Sequence, residues 1–499
     1  MKFSTIVGLA VASGSTAVVS GSSVFTISAS PKGAEHLDIS PISFSYPFAT
    51  LQGYFPGIPL TLKCMEAFKG VTGAWPAIRI GGTSEDYGTF DANLQVPNKV
   101  TGTAPTGQAI TTFGPLLMRL VAGYRGRIVW GLNRGGNNIT NTIETAKAAV
   151  KEIPSLYALE LGNEPVSLHL AIVAFNHCVA HVNMLQDIYG AIGLPIAPSV
   201  NDWTPEADAV SESEWQMAVG DSLSTDNIFQ AGSYYRPPNT GWGAGSFFKY
   251  SNATADPSIK VFSHHNYPQS AISKNEDQPN VEALMSHVNV TANVGLYKED
   301  VKIAKARGFD YVFGETNSVS GNGEPGQGAT FGTGLWALDY ALQAASLGIK
   351  RFYFHQGTPG KSYYVWFNET GVRSPLYGGY VAAEAMANGS SVASLDDGST
   401  NYAGYSIHSS SGKAQKVVLI NTDYFPGTGT RRTHEFKLQG LNGLQVQARR
   451  LTAKSTLSQQ DEGDAPTFAG RSIDNDSCKF AAKEIVELVK VKGGIQMVA

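Results

Sequence analysis

The sequence predicts an α/β chain built as a (β/α)8 barrel followed by a C-terminal β-sandwich. Three observations predict it. Eight short apolar runs separated by longer, partly helical segments lie between residues 41 and 378, and from 379 to 499 the texture changes to alternating and β-branched runs. The length of 499 residues exceeds one compact core but suits a barrel plus a smaller domain.

In chain order, residues 1–20 read as a secretory signal peptide. Lys2 supplies the positive start, 6–19 a modestly apolar stretch of small residues, and 20–23 a small-residue cleavage zone. Residues 21–40 contain a strand-like run, 24–30, expected to cross over and complete the sandwich. Barrel strands are expected at 42–46, 77–80, 128–132, 157–161, 195–200, 261–265, 311–314 and 350–355. Helical spacing marks 143–153, 168–188 and 333–347; in the last, Leu335, Leu338, Leu342 and Ala345 share a face. Eight repeats favour a closed barrel over an open doubly wound sheet, and no glycine-rich dinucleotide fingerprint follows the first run. Sandwich strands are expected at 402–408, 416–420, 434–438, 445–451 and 484–491, with turn residues between them.

Composition narrows the function classes. The formal net charge is -4 and no long Lys/Arg run exists, which argues against nucleic acid as a partner and disfavours a polyanion laid along a groove. No later apolar run is long enough to span a bilayer, and a monomer is expected. Six N-x-S/T triplets, at Asn138, Asn252, Asn289, Asn368, Asn388 and Asn475, accord with a secreted, N-glycosylated protein. Cys64, Cys178 and Cys478 allow one disulfide with one thiol left over, and their separation excludes a cysteine zinc motif.

Functional groups of such a barrel gather at the C-terminal ends of its strands. The fourth run ends in Leu161-Gly162-Asn163-Glu164-Pro165 and the seventh in Gly314-Glu315-Thr316-Asn317, so each delivers a carboxyl group to the rim. Glycoside hydrolysis needs two such carboxyls; a retaining enzyme holds them about 5–5.5 Å apart, one as nucleophile and one as proton donor. Asn163 is suited to hydrogen-bond a sugar 2-hydroxyl. Against this stands the reading of two rim glutamates that cap the next helix.

With these motifs the chain resembles the retaining (β/α)8 glycosidases that carry Asn-Glu after strand four and Glu after strand seven. Within them it resembles glycoside hydrolase family 79, the β-glucuronidase and heparanase family, in particular its secreted fungal exo-acting members. Ser43-Phe44-Ser45, Arg79-Ile80-Gly81-Gly82, the two glutamate motifs and the sandwich tail carry the resemblance. It implies Glu164 as acid/base, Glu315 as nucleophile, and release of terminal β-linked glucuronic acid by double displacement, without metal or organic cofactor.

Among residues expected to bind substrate, Arg79 can also hold Glu315 ionised, and Tyr267 lies where the resemblance places a tyrosine against the nucleophile. Tyr363 and Tyr364, with the glycine-rich loop 321–328, are candidates to hold the sugar carboxylate. His264 and His265 are adjacent strand positions facing opposite ways, which argues against a metal pair. Exo-acting relatives carry an acidic residue late in strand one, where this chain has Tyr46-Pro47. A less polar pocket there would tolerate a 4-O-methyl ether. The alternatives are an endo-β-glucuronidase, a neutral-sugar exo-glycosidase, or a non-catalytic carbohydrate-binding wall protein that kept the barrel.

Overall fold

The computed structural model describes residues 3–8, 19–104, 108–165, 203–272, 278–441, 444–490 and 497–498. Eight parallel strands close into a barrel: β1 (Ile42–Pro47), β2 (Ile78–Gly81), β3 (Ile128–Leu132), β4 (Leu156–Leu161), β5 (Phe229–Tyr234), β6 (Ile259–Asn266), β7 (Asp310–Thr316) and β8 (Ile349–His355). Seven of them fall on the expected runs. The fifth does not: 195–200 lies outside the described residues, as does the helical stretch 168–188, and the barrel strand is Phe229–Tyr234 instead. Its sequence shows no apolar run because Gln230 and Ser233 turn inward to hydrogen-bond Glu160.

The period of two along each strand sorts side chains into two layers. Phe44 packs outward on Phe68 and Trp366, while Ser45 on the same strand points in towards His355. Ala77, Val129, Ala158, Val261, Val312 and Tyr353 form their own apolar cluster, the floor of the barrel interior. Two residues further along β2 and β4, that inner face becomes polar with Arg79 and Glu160, both fully buried. The floor excludes water from below, so charges above it act at low dielectric.

Among the described residues the sandwich has a seven-stranded sheet and a three-stranded sheet. In the larger, Tyr402–His408 pairs antiparallel with Ala414–Asn421, and Gln445–Arg449 with Glu487–Lys490. The N-terminal crossover is present: Val19–Thr26 runs parallel to Thr433–Gln439, with Val24 opposite Lys437. Phe25, Ile27, Val417, Phe436 and Leu438 are buried between the sheets. Phe3–Gly8, within the expected signal peptide, lies between Ala414–Asn421 and Gln445–Arg449.

Three features join the domains. Helix Phe331–Ser346 is buried from Phe331 to Ala345, not along one stripe, because it is sandwiched between barrel and sandwich. His287 bridges Asp339 of that helix and Asp396 of the sandwich, at 2.8 Å each. Cys64 and Cys478 form a disulfide that fastens helix Leu60–Thr72 to the C-terminal segment. The expected domain boundary at 378 falls inside helix Pro375–Met386, so the sandwich begins after it, at Ser391–Ser394.

Candidate active site

The barrel brings Glu164 and Glu315 together at its C-terminal mouth. One carboxylate oxygen of each, with a ring nitrogen of His265, lie within 4.8 Å of one another. A bulge makes this possible on β7. Its register shifts against both neighbours at Gly314–Glu315, so that Glu315 also faces the interior. Gly314 is required there, since a Cβ would meet Ser263 Oγ at 2.2 Å. On the other side, Gly162 and Glu164 both take left-handed backbone angles, φ 78 and 49. Glu164 bears that strain without being glycine, as happens where a side chain must be aimed. Asp86 holds the turn by accepting from the amides of Asn163 and Gly135, both at 2.9 Å.

Arg79 stands between the carboxylates with all five N–H donors engaged. Nε and Nη2 donate to Glu160 Oε1, Nη2 also to Asn163 Oδ1 at 2.9 Å, and Nη1 to Glu315 Oε2 at 2.5 Å and Ser45 Oγ at 3.3 Å. No donor remains for a sugar, so Arg79 is a positioning residue, not the substrate contact the sequence suggested. It fixes the nucleophile candidate and the Asn163 amide in one frame, leaving the Asn163 NH2 group for a ligand.

Glu315 is held at a low pKa. Burial alone would raise it, but His355, Arg79 and His265, with the hydrogen bond from Tyr267, bring it to about 2. The Tyr267 hydroxyl donates to Glu315 Oε1 at 2.7 Å. Burial, then Glu315 itself, pushes the Tyr267 pKa well above the phenol range, so this donor keeps its proton. His355 Nδ1 lies 2.9 Å from Ser45 Oγ and 3.5 Å from Glu315 Oε2. Burial lowers the His355 pKa to about 4, leaving the ring neutral at higher pH and Arg79 as the permanent cation.

Glu164 is placed differently. Its Oε1 accepts from His265 Nδ1 at 2.9 Å, and its side chain is 13% exposed. The adjacent histidines do face opposite ways: His264 Nε2 lies 2.6 Å from the Arg236 carbonyl, among Tyr234, Tyr297 and Tyr311. Glu164, His265 and Glu315 are also the set of donors, among the described residues, with the spacing to surround a metal ion.

Other expectations are corrected. Tyr364 is buried beside Tyr267 and His355, but its neighbour Tyr363 is 45% exposed on the rim, so the pair does not act together. In the glycine-rich loop, the amides of Gln327 and Gly328 are spent on the Glu324 carbonyl. Its glycines serve close packing, because a Cβ on Gly328 would meet the Tyr363 carbonyl oxygen at 2.4 Å. Tyr46 packs outward on Tyr54 and Phe55, so it does not shape the mouth; Ser45 is the inward residue.

Sequence reading missed Glu160, Glu85 and His355. Glu85 is fully buried, 3.6 Å from Arg79, with neither oxygen hydrogen-bonded among the described residues. Burial, then Glu160, pushes its pKa well above the ordinary carboxyl value, against the opposing pull of Arg79.

Comparison with known proteins relates the chain to a family. The model of the glycosyl hydrolase family 79 C-terminal beta domain matches residues 402–498. A β-glucuronidase of Neurospora crassa is 29% identical over 355 residues, 64% of this chain and 57% of that protein. The match thus spans little more than half of that relative's length. A β-glucuronidase of Aspergillus niger is 25% identical over 430 residues, 79% of this chain and 73% of that protein. The crystal structure of a 4-O-α-L-rhamnosyl-β-D-glucuronidase from Fusarium oxysporum, in complex with Rha-GlcA, superposes with a TM-score of 0.83. It is 35% identical and covers 95% of this chain and 98% of its own. On that near-complete, 35% identical match, together with the family's own C-terminal domain, the chain belongs to glycoside hydrolase family 79.

Proposed function

We propose that the protein is a retaining exo-β-glucuronidase. The observation that carries this reading is the pairing of Glu164 and Glu315 oxygens within 4.8 Å, with one of the two carboxyls held ionised by Arg79. Inverting enzymes keep their carboxyls about 6.5–9.5 Å apart to admit a water between them. In the first step Glu315 attacks the anomeric carbon, a glycosyl–carboxylate bond forms, and the bond to the leaving oxygen breaks as Glu164 gives it a proton. Glu164 then takes a proton from water, which displaces Glu315 and regenerates both groups. The Asn163 amide is poised for the 2-hydroxyl, and Tyr364 for the sugar carboxylate.

The named activities of the fungal relatives support glucuronate as the sugar. We infer further that the first subsite accepts a 4-O-substituted glucuronate. Support comes from the inward Ser45 at the end of β1, where no acidic side chain stands to grip a 4-hydroxyl, and from the 4-O-rhamnosyl-glucuronidase at 35% identity. We also propose that the protein acts outside the cell, a reading supported by its leader-like N-terminus and its disulfide.

Proton NMR of 4-nitrophenyl β-glucuronide hydrolysis is the test. The β-anomer of glucuronic acid should appear first, and Glu315→Ala should abolish turnover. An α-anomer as first product would sink the retaining assignment. A strict preference for unsubstituted over 4-O-methyl or 4-O-rhamnosyl glucuronides would sink the subsite assignment.

A further inference from the structure

A second cavity lies away from the barrel mouth, where the sandwich meets the barrel. Its volume is about 340 Å³, in the range of sites that hold small ligands. One wall is the segment 421–432 between strands Ala414–Asn421 and Thr433–Gln439, and the other includes the start of helix Phe331–Ser346. That helix begins just after the loop 321–328, which packs against Tyr363 and Tyr364 at the mouth.

Two arginines, Arg431 and Arg432, and two acids, Glu282 and Asp423, line this cavity. Arg431 lies over the Phe425 ring at 5.1 Å and gives one Nη1 hydrogen to the Ala453 carbonyl at 3.2 Å. Among the described residues neither Arg431 nor Arg432 forms an ion pair, whereas Arg449 and Arg450 in the same domain pair with Glu384 and Glu487. Burial lowers the Arg431 pKa. A half-buried guanidinium fork facing open space suits an anion, above all a planar carboxylate.

The remaining lining selects among anions. Asn421 spends its side-chain oxygen on the Asp423 amide at 2.9 Å, which leaves its NH2 group for a ligand. Asp423 takes the Tyr402 hydroxyl on Oδ2 at 2.8 Å and keeps Oδ1 as an acceptor. Tyr424 and Phe425 add aromatic surface. A phosphate or sulfate can use the arginines and the Asn421 amide but leaves the aromatic surface idle. A uronate sugar uses each of them: its carboxylate on the arginines, its hydroxyls on Asn421 and Asp423, and its C–H face on an aromatic ring.

We propose that this cavity is a second carbohydrate site, one that takes a uronate-bearing unit of a glycan and is distinct from the barrel mouth. The assignment goes beyond the proposed hydrolysis and stands on the cavity's own residues.

The test is affinity electrophoresis of the full-length Glu315→Gln protein. One gel contains an arabinogalactan bearing glucuronate, and a second contains the same polymer after reduction of its carboxyl groups. The acidic polymer should retard the protein and the reduced polymer should not. Arg431→Ala/Arg432→Ala in the same background should weaken retardation about tenfold, as expected on losing charge-assisted hydrogen bonds. Phe425→Ala, which leaves both cations, should weaken it less; it serves as the second variant if the double substitution fails to fold. With Glu315 restored, the double variant should keep wild-type turnover of 4-nitrophenyl β-glucuronide and lose turnover of the polymer.

Equal retardation by the reduced polymer, undiminished retardation of both variants, or displacement by sulfate as readily as by glucuronate would each overturn the proposal. Absence of any glucuronidase activity would refute the catalytic reading and leave the retardation result to decide this one.

Discussion

Tyr267→Phe separates the two things that the site does to Glu315, which are holding it ionised and holding it in place. The substitution keeps the ring and removes one donor, at 2.7 Å from Glu315 Oε1. A hydrogen bond to a charged acceptor contributes about 1.5–3 kcal/mol. At about 1.4 kcal/mol per pKa unit this is a rise of about 1–2 units. From its value of about 2, Glu315 should therefore move to roughly 3–4. The sign follows from the depressed pKa: the ionised form of Glu315, the proposed nucleophile, persists above it and is lost as pH falls through it. Arg79 still touches Oε2, so near neutral pH the carboxylate stays charged in both proteins. There the remaining loss reflects orientation alone, about tenfold in kcat. The assay is kcat/KM for 4-nitrophenyl β-glucuronide from about pH 3 to 8, whose acid limb reports groups of the free enzyme. An acid limb and neutral-pH rate that superimpose on the wild type would refute this account of Tyr267.

Three further outcomes can be checked. Glu160→Gln removes the charge that grips Arg79 by Nε and Nη2; kcat should fall about 10- to 100-fold through looser positioning, with KM changing less and circular dichroism unchanged. His287 is a titratable link between the domains. Burial would lower its pKa, but Asp339 and Asp396 raise it to about 10 from 6.5. Its stabilisation is therefore complete below pH 6.5 and lost as pH rises through 10. His287→Gln should accordingly be less stable by on the order of 2–4 kcal/mol in urea unfolding at low pH, with a gap that narrows towards the upper value; a gap independent of pH refutes it. Cys64→Ser opens a loop spanning 414 residues. Chain entropy sets a ceiling of about 6 kcal/mol on the loss, and a thermal midpoint unchanged from wild type would show that the bridge constrains nothing.

What the sequence made legible was whatever an apolar strand announces. Glu164 and Glu315 stood out because each follows a buried run directly, and seven barrel strands were found in the same way. β5 was hidden because its inward residues are polar, and a strand that feeds a charged interior lacks the apolar signal that identifies strands. Glu160 was overlooked for the same reason. An acidic residue alternating with Leu159 and Leu161 looks like a solvent-facing position, whereas the closed barrel turns that face inward. His355 ends β8 and meets Ser45 of β1 only through closure of the barrel. The disulfide partners lie 414 residues apart, a distance over which spacing carries no information. Tyr363 and Tyr364 show the converse limit, since in a loop the sequence does not tell which of two adjacent tyrosines turns inward, and here only Tyr364 is buried.

The N-terminus draws two readings from one stretch of chain, and they lead to different molecules. As a leader, residues 1–20 are removed on export. As a strand, Phe3–Gly8 is hydrogen-bonded on both sides, with Ile6 opposite Val417 on one neighbour and Ala448 on the other. Cleavage would leave the facing edges of Ala414–Asn421 and Gln445–Arg449 without that partner. Unpaired edges are costly to bury and prone to recruit another strand. If the secretion proposal is right, the intact mass of protein exported from a fungal host corresponds to a start between about residues 20 and 23. Amides of the facing edges then exchange faster with deuterium than those of Tyr402–His408, which keeps its partner Ala414–Asn421 in either case. An exported protein that retains Met1 would refute the leader, and would make Phe3–Gly8 a permanent strand of the sandwich.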